Sequence, residues 1–204
     1  MDQEGIGRQK MNSLSFIMRR LKIGTPIALL SLFILATSVR AEKAGLEDIL
    51  VTNTMDHLLV YFSVKDCFTE DIVRAIDNGF RTTFTFFVKL HHVRGLWLDN
   101  EIADLKVKHD IQYDNLKRVY QVRLSEKNNK VISVKDFEEA KALMSEIVAL
   151  EVCELNKLKK GRHYRVRMMA ELDKIRLPLH LHYVFFFLSL WDFETDWYTM
   201  DFKY

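Results

Sequence analysis

An antiparallel β-sandwich with two short helices in its connections is the fold class this sequence predicts, and three observations predict it. Residues 80–93 alternate at period two, with Phe80, Thr82, Phe84, Phe86, Val88 and Leu90 against Arg81, Thr83, Thr85, Phe87 and Lys89. Such a run is hard to fit to a helix. Polar turn clusters recur between similar runs, at Asn53-Thr54-Met55-Asp56, at Asp114-Asn115 and over residues 126–130. Helical spacing is confined to two stretches. Seven or so short strands around one core make the expected sandwich immunoglobulin-like.

In chain order, residues 46–52 alternate weakly, with Leu46, Asp48, Leu50 and Thr52 on one side and Ile49 and Val51 opposite. Residues 57–64 are the partner strand across a tight turn. Thr69 is an N-cap ahead of Glu70 and Asp71, then Ile72, Val73 and Ile76 follow at helical spacing, and Asn78-Gly79 is a stop signal, which predicts a helix over residues 69–78. Residues 102–113 read as a strand with Leu105, Val107, His109, Ile111 and Tyr113 on one face, and residues 117–124 as the next. The spacing of Phe137, Ala140, Leu143, Met144 and Ile147 predicts a second helix over 133–147, capped by Asp136. Residues 150–155 make a short strand and Lys157-Leu-Lys-Lys-Gly161 a charged turn. Residues 164–173 alternate again, with Tyr164, Val166, Met168, Ala170 and Leu172 inside. A last strand runs from Asp196, with Tyr198, Met200, Phe202 and Tyr204 inward and Thr199, Asp201 and Lys203 outward.

The first 41 residues read as an address. Arg19-Arg20-Leu21-Lys22 precedes a short apolar run over residues 23–35, and Val39 and Ala41 are the small residues a signal peptidase reads. Residues 1–41 are therefore expected to be a secretory signal cleaved after Ala41, with an uncleaved anchor as the alternative, and residues 42–204 one exported domain. In a bacterium this places the body in the periplasm, soluble or held at the inner membrane. Residues 1–41 hold six Lys or Arg and two acids, which leaves 24 basic and 26 acidic residues for the body out of 30 and 28 in all. Such a near-neutral body gives no electrostatic reason to expect nucleic-acid binding.

Export bears on Cys67 and Cys153, the only two cysteines. Two readings stay open: a disulfide between them, or two buried free thiols. His180 and His182 share a face if their segment is a strand and are weak metal candidates, with a third ligand from His91, His92 or Asp192. Arg165, Arg167, Arg81 and Lys89 could form a basic patch, or simply the solvated face of amphipathic strands. The chain lacks G-x-S-x-G, a phosphate-cradling Gly-rich loop and H-E-x-x-H, so no residue nominates itself as catalytic and no cofactor is expected.

Residues 179–191 are apolar almost throughout and too short to span a bilayer. They read as a buried closing element, as a partner-docking surface formed by Leu179, Phe185, Phe186, Phe187, Trp191 and Trp197, or as a membrane contact. Leu177-Pro178-Leu179 followed by Trp191-Asp-Phe-Glu-Thr-Asp-Trp197-Tyr198 resembles the closing signature of DUF4390, a family of exported bacterial proteins. Val51-Thr-Asn-Thr, Leu58-Leu-Val-Tyr-Phe-Ser-Val64 and the strand over residues 83–90 are similar to that family too. The resemblance covers the body from about residue 45. It implies a signal peptide, one sandwich-like domain and an envelope role, and a partner such as a membrane sensor kinase of the nitrogen-regulation type, beside which members are often encoded. It supplies no catalytic residues.

The expectation is an exported, mainly-β binding module. A metal- or small-ligand-binding enzyme and a purely structural envelope protein are the alternatives. Metal analysis separates the enzyme reading: if His180 and His182 hold zinc, purified protein carries it or its melting temperature rises when zinc is added, and the absence of both effects removes that reading.

Overall fold

The computed structural model describes residues 43–95, 98–173 and 193–204. Strand alternation resolves there into two antiparallel sheets. A three-stranded sheet is ordered β1 (Gly45–Asn53), β2 (His57–Lys65), β7 (Glu146–Glu154). A six-stranded sheet is ordered β6 (Lys130–Val134), β5 (Val119–Leu124), β4 (Asn100–Asp114), β3 (Thr82–His92), β8 (His163–Leu172), β9 (Tyr198–Lys203). Helices α1 (Glu70–Asp77) and α2 (Phe137–Ser145) occupy the connections after β2 and after β6. The mainly-β prediction with two short helices holds. A division of three and six strands differs from the four and three of an immunoglobulin constant domain. The fold is thus a two-sheet antiparallel protein with its own strand division.

The core lies where the sheets face each other. Leu58, Val60, Phe62 and Val64 of β2 and Phe84, Phe86, Val88 and Leu90 of β3 are all buried, as are Tyr164, Val166, Met168, Ala170 and Leu172 of β8. Each large apolar side chain so buried contributes about 1.5–3 kcal/mol. Phe62 meets Phe86 edge-on with ring centroids 5.9 Å apart. Both helices pack against the six-stranded sheet, α1 burying Ile72 and Ile76, and α2 burying Ala140 and Met144. The Thr69 cap is formed as predicted, its hydroxyl accepting from the Ile72 N–H at 3.4 Å. Gly79 takes φ +81°, where a side chain would be strained.

Several local expectations are corrected. A bulge in β1 between Glu47 and Leu50, with Asp48 at φ 53°, flips the alternation. Leu46, Ile49 and Val51 all pack on the core as a result, while Leu50 stays exposed. The second helix is shorter than its apolar stripe. Ser133 and Val134 belong instead to the strand Lys130–Val134, which pairs with β5, because the β-branched Val131, Ile132 and Val134 suit a pleated edge. Ile147 belongs to β7. Asp136 stands at the N-cap, but its side chain makes no capping bond.

The disulfide reading also fails. Cys67 and Cys153 are free and buried. Register pairs Cys153 with Leu58 at the start of β2, whereas Cys67 lies beyond Lys65 at its end. Seven residues of strand put them roughly 20 Å apart, against the 7 Å or less a disulfide needs. Burial pushes the Cys67 thiol up to about 12, and its S–H donates to the Val64 carbonyl at 3.3 Å. Such a thiol is inert.

One polar pair is built into the core. His109 faces inward from β4 as predicted, with its side chain 1% exposed. Its Nδ1 lies 3.1 Å from the Met144 carbonyl oxygen at the end of α2, and its Nε2 3.2 Å from Glu126 Oε2 in the turn after β5. Both neighbours thus offer acceptor oxygens to the two ring nitrogens. Burial alone would raise the Glu126 carboxyl, but the His109 bond and charge outweigh it and hold the group below its ordinary value. A carboxyl lowered on folding contributes stability above its unfolded pKa, near 4.3, and loses that contribution as pH falls through the folded value. Replacing His109 with Ala is expected to cost about 3–5 kcal/mol in urea unfolding at neutral pH, since Glu126 is left buried and unpaired. The stability gap between wild type and Glu126→Gln should shrink below pH 4; a gap constant with pH would show that the pair carries no charge.

Candidate binding face

The side of the six-stranded sheet turned away from the core is not an ordinary solvated surface. Register sets its side chains in rows across β9, β8, β3 and β4. One row is Asp201, Arg165, His91, Glu101, and the next is Thr199, Arg167, Lys89, Asp104. The third is Met169, Phe87 and Lys106, continued by Trp197 just before β9, whose ring centroid lies 6.5 Å from that of Phe87. Beyond it come Glu171, Thr85 and Lys108. An apolar strip therefore crosses a charged face.

The cations on this face divide into two kinds. Lys89 is paired with Asp104 at 2.8 Å, and Lys108 with Asp173 at 2.5 Å. Arg165 is held at 2.7 and 2.8 Å by Asp201, with Asp99 at 3.6 Å. Hydrogen bonds from Arg165 keep the Asp201 carboxyl low. Arg167 and Lys106 have no carboxylate partner among the described residues. The Arg167 guanidinium instead lies 4.7 Å over the Trp197 ring, and the Lys106 ammonium 4.8 Å over Phe87. Asp173 anchors the far side, bonded to Thr85 and Lys108, and these bonds outweigh its burial to hold its carboxyl below the usual range. Beside the strip, an open groove of about 630 Å³ is lined by His91, Leu98, Asp99, Arg165, Arg167 and Thr199.

Residues 193–197 run along the free edge of β8 and fix Trp197 in place. Phe193 packs its ring edge-on against Phe84 in the core at 5.2 Å, and its carbonyl accepts the Leu172 N–H. Thr195 is buried, donates its N–H to the Ala170 carbonyl and takes the Ala170 N–H on its hydroxyl at 3.0 Å. Asp196 is paired with Lys43 at 2.8 Å. Phe193 and Thr195 thus face the core, while Trp197 lies on the outer face.

Of the sequence-predicted site residues, Arg165, Arg167 and Lys89 share this face, while Arg81 lies at its other end and bonds Gln112. They make no continuous basic patch, because acids alternate with them. Trp197 is half-buried on the strip. Leu179, Phe185, Phe186, Phe187 and Trp191, the metal candidates His180 and His182, Asp192, and the signal segment lie outside the described residues. His91 and His92 point to opposite faces of β3, and the His91 Nδ1 is buried without a partner among the described residues. Among the described residues, no group of His, Cys, Asp or Glu could hold a metal ion, and no helix is long and apolar enough to cross a membrane. Sequence reasoning missed Phe87, Met169 and Lys106. The signal was present: Phe87 and Met169 are apolar on the polar side of their own alternations.

These features define a two-sheet antiparallel β protein with an aromatic, cation-flanked outer face. The sequence profile of the domain of unknown function DUF4390 matches residues 41–201, and the chain belongs to that family. No characterised protein and no solved structure matches it.

Phe193→Ala is expected to cost about 3–5 kcal/mol, because it opens a cavity beside Phe84. Trp197→Ala, on the outer face, should cost under half as much, measured by urea denaturation of both variants. Equal losses would place Trp197 in the core.

Proposed function

We propose that the protein is an exported envelope module that acts by binding a protein partner, through the strip formed by Phe87, Met169 and Trp197. The observation that carries this reading is the pair of cations, Arg167 and Lys106, resting on the rings of that strip without a carboxylate partner among the described residues. Large flat side chains contribute contact area at little entropic cost, and Arg and Trp are the residue types that dominate interface energies. The groove beside the strip adds a concave surface with Arg165 fixed at its wall. The segment that resembles a secretory signal supports export to the periplasmic side. The expected partner is an envelope or inner-membrane protein, such as the sensor kinase that the family resemblance implies.

Site-specific photocrosslinking in intact cells tests this. A crosslinker at Thr199 or at Lys106 should trap one discrete partner, and Trp197→Ala or Arg167→Glu should reduce that adduct at least about tenfold. A crosslinker at Lys117, in the turn between β4 and β5, should trap none. Equal adducts at all three positions, or adducts indifferent to Trp197→Ala, would overturn the reading.

A further inference from the structure

Charge is segregated elsewhere on the body in a way that its near-zero total conceals. The connection from β7 to β8 reads Lys157-Leu-Lys-Lys-Gly-Arg-His163 and contains no acid. Sheet pairing brings the connection after β3, His92-Val-Arg-Gly95, against it, since the Val93 N–H donates to the His163 carbonyl at 2.9 Å. Between the two connections lies an open pocket of about 620 Å³, lined besides Val93 by His92, Arg94, Gly95, Gly161, Arg162 and His163.

Among the described residues, no acidic side chain lines this pocket. Arg94, Arg162, Lys159 and Lys160 are exposed, and none of them has an ion pair among the described residues. This contrasts with Arg165, Lys89 and Lys108 on the outer face, each of which holds a carboxylate at 2.8 Å or less. Two nearby acids are already engaged. Asp99 accepts the Arg94 backbone N–H at 3.2 Å and faces Arg165, and Asp201 is bound to Arg165 through two bonds. The Tyr204 carbonyl takes the Gly161 N–H, which pins the turn without using its side-chain donors. Gly161 sits at φ +76° with open space where a Cβ would stand, so the turn presents its cations around a bare backbone. Like charges held together without partners repel one another, and a bound anion relieves that repulsion.

We propose that this pocket binds a phosphoryl group, with the forked guanidinium groups of Arg94 and Arg162 clasping its oxygens and His92 and His163 adding ring N–H donors. Arginine matches a tetrahedral phosphate through paired N–H donors, which a hydrated halide does not exploit. The recognised chemistry is the same for free phosphate and for a phospholipid headgroup.

Titration of the folded protein with inorganic phosphate, followed by amide NMR, tests this. Saturable shifts are expected at Gly95, Gly161 and Val93, absent with chloride at equal ionic strength. The double variant Arg94→Gln/Arg162→Gln should weaken the response at least about tenfold, whereas Arg123→Gln on the outer face should not. Both arginines are exposed, and an unchanged melting curve will show that the variant is folded; the two single variants provide the same comparison independently. Sedimentation with phosphatidylglycerol vesicles, against phosphatidylcholine, separates the sources. Binding to the anionic vesicles that the double variant loses assigns a lipid headgroup, and saturable phosphate shifts without vesicle binding assign a free phosphoryl ligand. No saturable shift and no vesicle binding, or a response unchanged in the double variant, would overturn the proposal.

Discussion

The structure depends on one constraint, that β3 is paired along both edges. It hydrogen-bonds to β4 over Thr82–His92 and to β8 over Phe84–His92, so its backbone is saturated and its register is locked twice. A one-residue slip would turn Phe84, Phe86, Val88 and Leu90 outward and carry Thr85 and Lys89 into the core. Both faces of the protein are therefore organised from this strand. Its inner side meets β2 through the Phe62–Phe86 contact, and its outer side carries Phe87 in the middle of the binding strip.

The buried His109 ring has both nitrogens partnered, whereas the buried Thr82 hydroxyl and His91 Nδ1 have no hydrogen-bond partner among the described residues. His109 joins β4 to the turn after β5 and to the end of α2, 35 residues further along the chain. On the outer face pairing operates at lower cost, since exposed pairs such as Lys89–Asp104 contribute about a kcal/mol or less. Their role is arrangement rather than strength. Pairing most cations with acids leaves Arg167 and Lys106 distinguishable on the strip, and leaves the loop arginines distinguishable at the end of the sheet.

Much of the fold was legible in the sequence because period-two alternation is a local property. The strands around Phe86, Val107 and Val166 were placed correctly for that reason. The errors arose where local signals compete. The apolar stripe from Phe137 to Ile147 satisfies helical spacing, yet its end is claimed by pairing with β2. The β1 bulge at Asp48 leaves no trace in composition. Phe87 and Met169 broke their alternations visibly, but an isolated apolar residue on a polar face is common. Only the neighbouring Trp197, delivered from near the chain's end, gives them meaning.

Sequence alone determined the β class, the two helices, the inward set of β3, β4 and β8, and membership of DUF4390, because these rest on patterns within single segments. Tertiary structure decided which segments are neighbours. It separated Cys67 from Cys153 along β2, closed His109 on Glu126, set Trp197 beside Phe87, and placed Arg94 and Arg162 around one pocket. Each of these depends on the register between strands far apart in the chain. No local pattern encodes that register, which follows from the burial of all the inward faces at once.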